Sequence, residues 1–131
     1  MLEATLFFLA AASADLGTLD QAVARCDRGM ANPAFSNEAG RRSQFLLDAY
    51  REQESIVAAR LDLSQRRRDL REASIKKNAA EEQKLDLENA ALEDRQRALN
   101  DQRMLEGIRQ DAMDAVRRYF LLNCPAGKTD K

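Results

Sequence analysis

Residues 60–101, RLDLSQRRRDLREASIKKNAAEEQKLDLENAALEDRQRALND, decide the fold. The first part, residues 60–77, carries seven basic and three acidic side chains, a net of +4, and the second, residues 78–101, carries seven acidic and three basic, a net of -4. Cations in a last helical turn and acids in a first turn are what the helix dipole favours. Asn78-Ala79-Ala80-Glu81 has the form of an N-cap with a reciprocating Glu three residues on. The stretch therefore predicts a chain reversal near residues 76–78 that lays a basic arm against an acidic one.

Outward from that point, no proline and only Gly40 and Gly107 interrupt the chain from Phe35 through Asn123, so both arms read as helix, over about 36–76 and 79–123. Each arm would run about 55–65 Å at 1.5 Å per residue. A reversal there makes residues equidistant from position 75 face one another, and the two cysteines of the chain, Cys26 and Cys124, are such a pair. The expected fold is all-α: an elongated antiparallel helical hairpin, a coiled coil, with a short N-terminal helix packed at its base and a Cys26–Cys124 disulfide closing that base. The alternative is a single long helix forming an intermolecular coiled coil, because neither Gly nor Pro marks the turn.

The short helix is expected over about 18–29. Thr18 and Gln21 fit a capping box, Leu19, Ala22, Val23 and Cys26 share one face, and Gly29 supplies a stop. Asn32-Pro33 then reads as a turn or a fresh helix start. A base cluster is expected from Phe35, Phe45, Leu46, Leu47, Tyr50, Val116, Tyr119, Phe120, Leu121 and Leu122 with Leu19, Val23 and Met30.

Along the first arm Ala49, Ile56, Leu63 and Leu70 recur at sevens, with Phe45, Ala59 and Ala73 at the alternate seam position, and Glu52 and Arg66 interrupt it. On the second arm Ala91, Ala98, Leu105, Ala112 and Tyr119, with Ile108, Ala115 and Leu122, form the expected seam. Leu85, Leu92 and Leu99 then fall on nearly the opposite face, where they are expected to serve as an interaction surface.

Composition limits function. At 131 residues, 33% charged and 44% hydrophobic, the chain is one thin-cored domain. A net charge of -1 gives no field for nucleic acid, and the three arginines Arg66, Arg67 and Arg68 point in three directions on a helix. Histidine is absent, so Ser and Cys lack the usual base partner, and there is no glycine-rich phosphate loop. No catalytic, cofactor-binding or metal residues, no cofactor, no small-molecule substrate and no enzyme activity are expected. The expected partner is another protein or a second copy.

At the N-terminus, residues 4–12 (ATLFFLAAA) have the length of a signal-peptide apolar region, and Ala12-Ser13-Ala14 offers small residues before Asp15. The run is too short to span a bilayer, and it lacks the usual preceding Lys or Arg, carrying Glu3 instead. The division expected is a signal peptide at 1–14, a coiled-coil domain at 15–124 and a disordered tail at 125–131. The corresponding function is a non-enzymatic exported, periplasmic or secreted, protein acting in a structural, adaptor or holdase-like role. The alternative is a cytosolic coiled-coil regulator or assembly factor that keeps its N-terminal segment.

Overall fold

A computed structural model describes residues 16–73 and 78–126. Residues 1–15, which include the expected leader, residues 74–77, which include most of the reversal expected near 76–78, and residues 127–131 of the tail expected at 125–131 lie outside the described residues. Helix α1 covers 16–24, α2 covers Arg28–Ala73 and α3 covers Ala79–Asn123. The two long helices pack against each other antiparallel as a helical hairpin, and helix ends at Ala73 and Ala79 rule out one uninterrupted helix.

The first reversal is tighter than the sequence implies. Helix α1 stops at residue 24, short of Gly29, because Cys26 takes a left-handed conformation with φ of 53°. Cys26 N–H then donates to the Val23 carbonyl at 3.0 Å and Asp27 N–H to the Ala22 carbonyl at 2.8 Å. This is the double bond pattern of a Schellman cap, with cysteine where glycine usually sits. Asp27 ends one helix and starts the next: its Oδ1 accepts from Met30 N–H at 3.3 Å and its carbonyl from Ala31 N–H at 2.9 Å. Thr18 lies inside α1 and Gly29 inside α2, so neither is the expected boundary.

Pro33 likewise lies within α2 and makes no turn. It removes the hydrogen bond that its N–H would give the Gly29 carbonyl, a cost of about 3 kcal/mol in a free helix. Packing offsets the loss, since Ala31 on one side is fully buried and Phe35 on the other packs on the core. Helix α3 begins as its sequence predicts. Asn78 Oδ1 accepts from Glu81 N–H at 3.3 Å and the Asn78 carbonyl from Glu82 N–H at 3.0 Å, and Glu81 and Glu82 lie in the first turn.

The helices are shared by two compact units. One comprises α1, α2 as far as Arg42, and α3 from Gly107 onward. Its core is Leu19, Val23, Ala31, Met113, Phe120 and Cys124, against which Leu16, Cys26, Phe35 and Val116 pack. The Phe35 and Phe120 rings meet with centroids 5.5 Å apart. Cys26 and Cys124 stand at disulfide distance, with Cα atoms 5.5 Å apart at a sequence separation of 98. Helix α3 has no basic residue in its last turn, and the positive charge its carbonyl end favours comes from another helix: Arg28 donates to the Cys124 carbonyl at 2.9 Å and to that of Pro125. The second unit, Ser43–Glu106, is the paired arms alone. Ile56, Leu63, Leu85, Leu92 and Leu99 are buried there, with Ala59 and Leu70 at the margin.

Candidate interaction surface

The face that α3 turns inward is opposite to the one its sequence predicts. Buried positions recur at sevens as Leu85, Leu92, Leu99, Glu106, Met113 and Phe120. Leu85, Leu92 and Leu99 are therefore seam residues within the chain and not an exposed interaction surface. Of the expected seam, Leu105, Ile108, Tyr119 and Leu122 are instead exposed, as are Ala91, Ala98 and Ala115. On α2 the expected rhythm holds at Ile56 and Leu63, with Phe45, Ala49, Ala59 and Leu70 half-buried and Ala73 exposed.

Two forces select this face. A leucine removes far more apolar surface from water than an alanine at the same position, so the leucine row outweighs the alanine row. The positions next to the leucines also bring charges that α2 can match.

In the first unit Glu38 on α2 is 8% exposed and Arg109 on α3 is 6% exposed. Arg109 Nη1 donates to both carboxylate oxygens, at 2.9 and 3.1 Å. Arg41 donates through Nε at 3.0 Å and Nη2 at 2.8 Å, and Arg42 through Nε at 2.9 Å. Arg42 also reaches Asp114 at 2.9 Å, and its hydrogen bonds to Asp114 and Glu38 raise its own pKa. Burial pushes the Glu38 carboxyl up, but the hydrogen bonds from Arg41, Arg42 and Arg109 outweigh it and hold the group at about 2. A carboxylate held that far down is ionised at neutral pH and has no proton to give or take there, so its part is to lock two helices in register.

The second unit repeats the device with less burial. Arg95 donates to Glu52 at 2.9 Å and to Ser55 Oγ at 3.1 Å, Gln53 and Gln96 exchange amide bonds at 2.8 and 2.9 Å, and Arg67 donates to Asp86 at 3.0 Å. Arg66 donates to the two carboxylate oxygens of Glu88 through Nη1 and Nη2. That hydrogen bonding raises the Arg66 pKa and lowers that of Glu88. The basic-on-acidic match of residues 60–101 is thus realised at 66–88 and 67–86. Glu38 was legible in principle, because it continues the spacing of Glu52 and Arg66 by fourteen residues.

The outer faces carry what the seam leaves out. In the second unit α2 exposes Leu46 (66%), Leu47 (51%), Tyr50 (66%), Val57 (45%) and Leu61 (67%), so Leu46, Leu47 and Tyr50 belong to no base cluster. In the first unit α3 exposes Ile108, Tyr119, Leu121 and Leu122, and Met30 is exposed on α2. Phe35, Val116, Phe120, Leu19 and Val23 do form the base core. A groove of about 240 Å³ lies beside Asn32, Phe35, Ser36, Arg117, Phe120 and Leu121. Among the described residues no three of His, Cys, Asp and Glu converge as a metal site, and no helix is long and apolar enough to cross a membrane.

No protein-family description matches this chain, and comparison with characterised proteins and with solved structures returns no match.

Proposed function

We propose that this chain is a non-enzymatic interaction module of the structural, adaptor or holdase kind, exported to an oxidising compartment such as the periplasm. One observation carries the reading: charged and amide side chains share the seam between the helices with a single thin apolar row, while other large apolar side chains stand outside. Isolated exposed leucines are ordinary, but Leu46, Leu47, Tyr50, Val57 and Leu61 are all exposed on one side of one helix, and a grouping of that kind supports a partner surface. The paired cysteines support an oxidising setting, since such bonds persist outside the cytosol.

The test is aggregation of an unfolded polypeptide followed by light scattering, with and without the purified chain. The chain is expected to suppress scattering, and Leu46→Ser with Leu61→Ser is expected to lose that effect while helix content by circular dichroism is unchanged. A chain that neither shields a client nor self-associates sinks the interaction role. N-terminal sequencing from the native host tests export independently: Asp15 as first residue supports it, and Met1 or Leu2 rejects it in favour of a cytosolic regulator.

A further inference from the structure

Helix α1 is held in place by a strained joint. Cys26, between α1 and α2, has φ of 53°, a conformation that crowds a Cβ against the backbone and that glycine takes at little cost. Spanning 16–24, α1 is shorter than the roughly 12–15 residues an isolated helix needs to persist in water. Its Leu19, Ala22 and Val23 are buried, and the bond from Cys26 to Cys124 fixes the joint to the end of α3. The pairing of α2 with α3 in the same unit has other supports: Arg109 on Glu38, Arg42 on Asp114, and the Phe35 ring against Phe120. None of these involves α1 or a cysteine, so opening the bond weakens the seat of α1 first. We infer that the Cys26–Cys124 pair is a redox latch on α1. Oxidised, it clamps α1 over the base; reduced, it lets α1 lift away and uncovers the apolar face of Ala31, Phe35, Met113, Val116 and Phe120.

The two sulfurs are unequally open. Cys124 is buried, and its Sγ lies 3.7 Å from the Val23 carbonyl in the last turn of α1, whereas Cys26 is half-buried. A thiolate of a small dithiol reductant therefore attacks Cys26 Sγ. The bond between the two cysteine sulfurs breaks, and Cys124 leaves as a thiolate that takes a proton from water. The second thiol of the reductant then gives up its proton and displaces the Cys26 sulfur, which is protonated in turn. The reductant closes to its own disulfide, and two electrons have passed to the protein. Cys26 is then free to leave the left-handed region, which releases the strain at the joint and unseats α1. The latch lies wholly within the first unit and does not depend on the outer α2 face assigned above to partner binding.

Hydrogen exchange of the full chain, followed by mass spectrometry with and without dithiothreitol, tests the latch. Amides of residues 20–26 are expected to exchange at least about tenfold faster in the reduced chain, while residues 52–63 and 89–102 keep their protection. The dye anilinonaphthalene sulfonate is expected to brighten on reduction as the apolar face is uncovered. Two variants without sulfur separate the joint from the bond. Cys26→Gly with Cys124→Ala suits the left-handed joint, and Cys26→Ala with Cys124→Ala does not, so the first is expected to exchange its α1 amides about fivefold or more slower than the second. Three results overturn the latch: α1 amides equally protected in both redox states, protection lost along the whole chain at once on reduction, or two variants that exchange alike.

Discussion

Replacing Glu38 by Gln keeps the size and shape of the side chain but leaves the guanidiniums of Arg41, Arg42 and Arg109 converged on a neutral amide. Two routes give the magnitude. Removing one partner of a buried ion pair costs about 3–5 kcal/mol. Independently, a carboxyl lowered from 4.5 to about 2 reports about 3 kcal/mol of preference for the charged form in the folded state, at 1.36 kcal/mol per pH unit. Arg109→Met should cost less, about 1–2 kcal/mol, because Arg41 and Arg42 still neutralise Glu38 and the thioether refills the space. Glu38→Leu with Arg109→Leu should recover most of the loss, since an apolar pair replaces a desolvated ionic one. Urea unfolding at pH 7 with the disulfide intact, followed by circular dichroism, measures all three. The pH dependence gives a second handle. The folded carboxyl is depressed, so the unfolded chain takes up a proton first as pH falls, and this contribution is full above about pH 4.5 and is lost between 4.5 and about 2. Glu38→Gln should remove that part of the acid limb. A cost below about 1 kcal/mol, or an acid limb identical to that of the unaltered chain, refutes the reasoning.

Three further outcomes follow from the geometry. Reducing the Cys26–Cys124 pair, or Cys124→Ser, opens a loop closed across 98 residues and should lower stability by up to about 4.7 kcal/mol in the chain-entropy description; an unchanged denaturation midpoint after reduction shows that the thiols are not joined. Leu99→Ala should cost about 2–5 kcal/mol because Leu99 is buried in the seam, whereas the exposed Ile108→Ala should stay within about 1 kcal/mol; the reverse order would put the sequence-expected face of α3 inward after all. Asn78→Ala removes the acceptor for Glu81 N–H and should cost about 0.5–2 kcal/mol by thermal unfolding, with Asn78→Asp close to neutral.

Much of the fold is legible along the chain because it depends on local or mirrored properties. Helicity from Phe35 to Asn123 needs only the absence of breakers. The reversal follows from one N-cap and a change in charge sign, and the meeting of Cys26 with Cys124 follows once the reversal is placed. The first turn was less legible. Gly29 and Pro33 are the residues a turn normally uses, yet the reversal falls on Cys26 and Asp27, because the docking of α1 on the α2–α3 core imposes a left-handed φ on a residue that has no local preference for it.

By itself the sequence determined two oppositely charged helices folded back on each other with their flanking thiols together. Tertiary structure alone decided which side of α3 goes inside. That helix offers a leucine row broken by Glu106 and a row mixing alanine with larger apolar residues, and period counting ranks a charge at a seam position as a defect. Whether a buried charge is a defect depends on a partner that no local window contains: Arg109 can be buried because Glu38, 71 residues away, is brought opposite it, and with that match made the leucine row is the face that removes the most apolar surface from water.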